Sequence, residues 1–435
     1  MRIGTRAATR HKGALLEALG QPTESLFSGR DTRVRDRSAS RPGLADEAMN
    51  EAASLTSRAT ATGKGALASA ENGLHWLLGE AKQGFTAFSH GVQGLVYGVS
   101  FKPFQTRVVT DDPSDANHPD SEDLQQAQQE TQAYAAAETA AVAMLSPGDQ
   151  KKYAALVALF GPTATNPTGF PLARRALQQM LLAGTLTGQK DLAGGNRLLD
   201  NLSILATEPL ASGIDRATIV SQTAIEVQNP ARIDQQAKGT CVATTGGIVL
   251  ARLHPSEYVR LIAGLASPSG QVKMAGGDTL TRVSDWNDDN DGDRTISQRL
   301  LAPALMNAGQ FPLFHYDNST DHDKIGPIPL GGGLMASGSA HINSELEGHP
   351  YDAHTVFFFD RSADWNEVKR ALAAGKGPIP VGVMWSDSDG NVGGHELQVD
   401  KVENGTVSYL NPWGQYETMS EAEFEKHLTD AEIPA

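Results

Sequence analysis

Along the first 72 residues apolar positions follow no period, and Ser, Thr, Gly and Ala fill the gaps between charges. Such a stretch has too little apolar surface to offset the entropy of ordering it, so 1–72 is expected to be a disordered tail. The pattern changes at residue 73. Leu74, Leu77, Leu78, Ala81, Phe85, Phe88, Val92, Leu95, Val96 and Val99 recur at helical spacing and give 73–104 one apolar face. Gly79, Gly84, Gly91, Gly94 and Gly98 each weaken that helix by about 1 kcal/mol. The helix is expected to pack on the next domain. A membrane-surface helix is the alternative, but the Lys/Arg-rich polar face such helices carry is missing. An acidic, Pro-containing linker, DDPSDANHPDSED, runs over 111–123 and closes a second segment, 73–120.

Helical periodicity resumes at Ser121, with Glu122 and Asp123 in the first turn where negative charge suits the dipole. It predicts helices over 121–145, 148–160, 171–184 and 193–206, punctuated by Pro147, Pro162, Pro167 and Pro209. Residues 121–210 therefore read as a small helical module. From about 215 to 435 helices come first and β-rich runs later: TVFFF (355–359), IPVGVMW (379–385), ELQVDKV (396–402) and TVSYLN (406–411). Asn404-Gly405 between the last two signals a tight hairpin. Helices followed by strands make the fold class α+β.

The 435 residues carry a net charge of −15, which argues against a nucleic-acid binder held by phosphate contacts. Only the tail is basic: residues 1–42 hold nine Lys/Arg against four Asp/Glu. No run of about 18 apolar residues predicts a membrane span. The N-terminus lacks the apolar core and cleavage site of a secretory signal. A cytoplasmic protein, or one exported without a classical signal peptide, is expected. The single cysteine excludes an internal disulfide and an iron–sulfur cluster, and no cofactor is expected.

That cysteine ends the run Gln235-Gln236-Ala237-Lys238-Gly239-Thr240-Cys241 and opens a helical pattern that stops at His254-Pro255. A helix N-terminus lowers a thiol pKa, so Cys241 is a candidate nucleophile; an inert cysteine is the plainer reading. A second feature is Gly393-Gly394-His395-Glu396, where His395 starts a strand after glycines that permit close approach. A nucleophilic thiol needs such an imidazole to pair with it and to protonate a leaving amine. A third is Asn411-Pro412-Trp413-Gly414. An Asn carbonyl fixes an imidazole tautomer without adding charge, and a Trp shields the bond. His395 and Asn411 are close enough in sequence for one hairpin to join them. Gln235 and the Cys241 N–H are candidate oxyanion donors.

Together these residues resemble a papain-like cysteine peptidase. The pattern Q-x₃-G-x-C is met by Gln235, Gly239 and Cys241, the G-H segment by Gly394 and His395, and N-x-W-G by Asn411, Trp413 and Gly414. The N-P-W-G spelling resembles the calpain branch. The resemblance covers 215–435 and leaves 1–210 outside. It implies a helical lobe carrying Cys, a β-barrel-like lobe carrying His and Asn, and a protein or peptide substrate in the cleft between them. Val242 stands where the family has an aromatic, and Glu396 where it has a small residue. A carboxylate there would raise the His395 pKa or select substrate. Three readings stay open: a peptidase, a deamidase or acyltransferase of bacterial-effector type on the same fold, and a catalytically silent binding module. The helical module is a candidate pro-segment that blocks the cleft.

Two features are weaker. Asn287, Asp289 and Asp291 occupy the first, third and fifth positions of a calcium-loop pattern, with Gly292 sixth, but the twelfth is Gln298 rather than Glu. A solvated acidic loop is expected. His341, His349 and His354 lack metal-site spacing, and Gly331-Gly332-Gly333 lacks the G-K-[ST] of a phosphate loop.

Overall fold

The computed structural model describes residues 106–108, 120–288, 294–310, 314–325, 328–329, 333–357, 360–386 and 392–435. The tail 1–72, the helix expected over 73–104 and linker residues 109–119 lie outside them. The described chain opens with a short strand, β1 (Arg107–Val108). Five helices come next: α1 (Ser121–Ala133), α2 (Ala135–Met144), α3 (Pro147–Leu159), α4 (Pro171–Leu182) and α5 (Leu198–Thr207). The Asp120 carboxylate caps α1 by accepting the Glu122 and Asp123 N–H groups, both at 2.8 Å. The single helix expected over 121–145 is broken at Tyr134, which leaves helical geometry (φ −98°, ψ 9°).

The chain continues through α6 (Arg216–Gln228), α7 (Cys241–Leu253), α8 (Pro255–Ala266), the hairpin β2 (Gln271–Lys273) and β3 (Thr279–Thr281), and α9 (Ile296–Gly309). One hydrophobic core runs from Leu156, Leu177 and Leu199 through Val220, Leu250 and Leu261 to Leu305. The boundary expected near residue 210 is therefore not a packing boundary. Helices α1–α5 share their apolar faces with α6–α9 and pack with them in one core, not as a separately packed module. Helical periodicity marks an apolar face but does not say which helices it meets.

A small sheet, β4 (His315–Asp317), β5 (His322–Ile325) and β6 (Ile328–Pro329), precedes α10 (Ala336–Glu347). The rest of the chain is β7 (Tyr351–Thr355), α11 (Arg361–Ala373), β8 (Ile379–Ser386), β9 (Val392–Glu403), β10 (Thr406–Asn411), β11 (Gln415–Ser420), α12 (Glu421–His427) and β12 (Leu428–Pro434). These strands form a seven-stranded antiparallel sheet of order β1-β11-β10-β9-β8-β12-β7. One face buries Val381, Val383, Leu397, Val399, Val407 and Leu428 under Trp365 of α11 and Phe424 of α12. On the opposite side β9 packs against α7, and β7 and β12 against α10. The fold is α+β, as expected. Asn404 and Gly405 take φ of 51° and 72°, the two left-handed residues that the β9–β10 hairpin needs. The strand expected over 355–359 lies earlier. Tyr351–Thr355 pairs with β12 at the sheet edge, where polar Asp352 and His354 are tolerated.

A chain shortened to begin at residue 211 would bare the core that α1–α5 cover. It is expected to show no cooperative thermal transition by circular dichroism. A sharp melt matching that of the longer chain would show the helices to be separate.

Candidate active site

Cys241 is the first residue of α7, and the loop before it is pinned from three sides. The Gln235 N–H donates to the Pro412 carbonyl at 2.9 Å, and Asp234 forms a β-bridge with Trp413. The Gly239 N–H donates to the Asp321 carboxylate at 2.9 and 3.1 Å. The buried Lys238 ammonium donates to the Asn318 carbonyl at 3.0 Å. Gln236 in this loop holds a positive φ of 52°, as does Asp321, the loop's partner from the β4–β5 turn, at 54°. One helical turn on, Thr245 donates to the Glu396 carbonyl at 3.3 Å. Residues i and i+4 share a helix face, so that bond lays the Cys241 face of α7 on strand β9.

On β9, His395 pairs with Val383 of β8. The hairpin returns Asn411, the last residue of β10, beside it. His395 Nε2–H donates to Asn411 Oδ1 at 2.9 Å. A carbonyl oxygen only accepts, so the proton is on Nε2 and Nδ1 carries the basic lone pair. The Trp413 ring stacks on the imidazole at 4.1 Å and 16°. Trp385 of β8 meets the imidazole edge-on at 5.4 Å and meets Trp413 at 5.2 Å. Two aromatic walls thus keep water from the His395–Asn411 bond and strengthen it. Gly414, at φ 76°, sits where a Cβ would come within 3.1 Å of the Ala231 carbonyl. A side chain there would push the N-P-W-G turn off the cysteine loop. Gly394 is different: no atom lies within 4 Å of the place its Cβ would take. Its glycine is not needed for packing, and it leaves the flank of His395 open.

The electrostatics depart from the expected activated thiol. Burial and then the Glu396 carboxylate push the Cys241 thiol up to about 12, against the backbone N–H groups of Glu396 and Val242 that favour the thiolate. Cys241 is only half-buried, so solvent softens that rise. Burial pulls His395 down to about 4, and the Asn411 bond opposes this only in part. The Glu396 field acts on the thiol and not on the imidazole, which corrects the expectation that it would raise the His395 pKa. In this form the thiol is protonated and the ring neutral at pH 7.

Glu396 lies in a row that crosses the sheet. It pairs with Gly382, which pairs with Asp430 of β12. Gly382 has no side chain, and the Asp430 carboxylate lies over it. Oxygens of Glu396, Asp430 and Glu432 fall within 4.8 Å of one another. Carboxylates so close and so buried cannot all ionise. Burial, and then the neighbouring carboxylates, push Glu396 up to about 8 and raise Glu432; burial alone raises Asp430, while Ser339 donates to Glu396 at 3.1 Å.

The Gln235 amide donates one N–H to the Lys238 carbonyl at 2.8 Å, which leaves its second N–H uncommitted. Asp289 and Asp291 of the calcium-loop pattern lie outside the described residues. Asn287 accepts from Arg299 at 2.9 Å, and Gln298 is turned into the core, where it donates to Tyr258 at 2.8 Å. The twelfth position of that pattern therefore cannot ligate an ion in the loop. His341, His349 and His354 pair separately with Asp278, Glu347 and Glu367. Gly331 and Gly332 lie outside the described residues. No described helix is long and apolar enough to cross a membrane. Sequence reasoning missed Lys238, Asp321, Trp385, Glu417, Asp430 and Glu432. All but Lys238 reach the site through strand order or distant loops and leave no local pattern.

A raised carboxyl pKa means that the folded chain binds more protons than the unfolded one. For Glu396 that holds from the ordinary 4.5 up to about 8, so its contribution to stability is lost as pH rises through that window. His395 acts oppositely, and its contribution is lost as pH falls from 6.5 towards about 4. Thermal melts of Glu396→Gln and the parent chain should diverge with rising pH, with the variant the more stable near pH 8. Parallel profiles would contradict the buried cluster.

Comparison with models of known protein families found no match, and neither did comparison with curated proteins.

Proposed function

We infer that the chain is a cysteine peptidase, a thiol hydrolase of papain-like two-lobed type with a calpain-like N-P-W-G turn. One observation carries the reading. The His395–Asn411 bond, stacked under Trp413, lies on the same strand that receives the N-terminal turn of the Cys241 helix. That bond leaves Nδ1 as the basic atom, and four side chains then have distinct tasks.

Sulfur of Cys241 attacks the peptide carbonyl carbon as His395 Nδ1 takes the thiol proton. The carbonyl electrons move onto oxygen, which the Cys241 N–H and the second Gln235 N–H stabilise. The tetrahedral species collapses and the C–N bond breaks. The imidazolium gives its proton to the leaving amine, and a thioester remains. Water then adds to the thioester, losing a proton to His395, and the C–S bond breaks as that proton returns to sulfur. Each single charge is disfavoured in the buried site. Formed together, thiolate and imidazolium attract strongly at low dielectric.

The protonated resting thiol favours one other reading, a silent binding module with the same architecture. Unfolded protein substrates, with new termini read by mass spectrometry, separate the two. The intact chain is expected to cut. Cys241→Ala abolishes cutting, and His395→Ala lowers it on the order of 10²- to 10⁴-fold. Gln235→Ala costs about 10²- to 10³-fold in kcat. Asn411→Ala leaves a measurable residue of turnover. Cleavage that survives Cys241→Ala would overturn the nucleophile. A folded chain that cuts nothing, with a thiol no more reactive than free cysteine, would leave the binding module.

A further inference from the structure

We propose that Glu417 is a positioning residue that sets the Asn411 amide, and through it the His395 tautomer, and that the strand around Thr106 holds Glu417 in place. The inference rests on the reading of His395 Nδ1 as the catalytic base.

An Asn side chain has two nearly isosteric ends. With Oδ1 towards His395, the ring must carry its proton on Nε2, and Nδ1 is basic. With Nδ2 towards His395, the ring nitrogen there becomes an acceptor, the proton moves to Nδ1, and Nδ1 is no longer basic. Two groups choose between these states. The Trp413 N–H donates to Asn411 Oδ1 at 3.3 Å. The Asn411 Nδ2–H donates to Glu417 Oε1, also at 3.3 Å. Glu417 is buried, and both its oxygens stand as acceptors, Oε1 of the Asn411 amide and Oε2 of the Thr106 hydroxyl. An Asn411 oxygen turned towards it would meet another oxygen, so the flipped amide is excluded on that side.

Glu417 is itself held from beyond the lobe. Its Oε2 accepts from the Thr106 hydroxyl at 2.9 Å, and that hydroxyl accepts from the Tyr409 phenol at 2.6 Å. Thr106 immediately precedes β1, which pairs with β11 through Arg107–Thr418 and Val108–Glu417. Donors and acceptors alternate without conflict from Tyr409 through Thr106 to Glu417, and from His395 through Asn411 to Glu417. A segment upstream of the helical lobe thus completes the far edge of the sheet and closes the relay that orients the base.

The test reads the tautomer directly and needs no substrate. Nitrogen-15 shifts of the imidazole distinguish a protonated from an unprotonated ring nitrogen, and His395→Ala identifies the signal. The parent chain is expected to carry the proton on Nε2. Glu417→Met keeps the shape and removes the acceptor, so it should shift His395 towards the Nδ1–H form. Glu417→Gln retains an acceptor oxygen and should restore the parent tautomer. Thr106→Val should shift it in the same direction as Glu417→Met, and it reports on the inference if Glu417→Met does not fold. Cys241-dependent turnover should fall about tenfold in Glu417→Met, the scale of one hydrogen bond to a charged group, and should fall no further in an Asn411→Ala background. An unchanged tautomer in both Glu417→Met and Thr106→Val, or losses that multiply with Asn411→Ala, would overturn the inference. Failure of the peptidase reading looks different: the tautomer responds as described, yet Cys241→Ala changes no activity.

Discussion

An imidazole serves as a base at one nitrogen only if something holds its proton on the other. Here that is the 2.9 Å bond from His395 Nε2 to Asn411 Oδ1, and the surrounding structure is arranged around it. The β9–β10 hairpin brings the two residues together. Trp413 and Trp385 wall the bond off from water. The N-P-W-G turn that ends at Gly414 then docks on the loop that leads to Cys241. One turn therefore positions both the imidazole's partner and the loop that leads to Cys241, and a change in it would disturb both.

The same construction buries His395 and half-buries the Cys241 thiol. His395 and the thiol are neutral in the resting form because each alone is costly to ionise where solvent is scarce. In the row of Glu396, Asp430 and Glu432, burial raises all three carboxyls for the same reason. On the proposed peptidase reading, the first step is a proton transfer between two neutral partners.

Much of this was legible in the sequence where the signal is local. Cys241 after a Gly-containing turn, His395 after a glycine pair and Asn411 one hairpin later each sit beside their own marker, and the structure places them on the expected elements. What was not legible comes from strand order. Trp385, Glu417 and Asp430 come to the site because β8 and β11 flank the β9–β10 hairpin and β12 pairs with β8, and nothing in their local sequence announces it. Strands β11 and β12 also point Glu417 and Glu432 inward, which blurs the alternation by which a strand is recognised. The expected separation of the helices over 121–210 failed for a similar reason. Leu156, Leu177 and Leu199 look like the core of a small module until their partners in α6–α9 are seen.

The most direct measurement of the central claim is the intact mass of the chain after brief exposure to an activated acyl ester, with the single thiol giving a single possible thioester. The expected result is one acyl group per chain, absent from Cys241→Ala, and formed and released more slowly in His395→Ala. An acyl group that persists in Cys241→Ala, or one whose formation is indifferent to His395, would contradict a thiol nucleophile served by that imidazole.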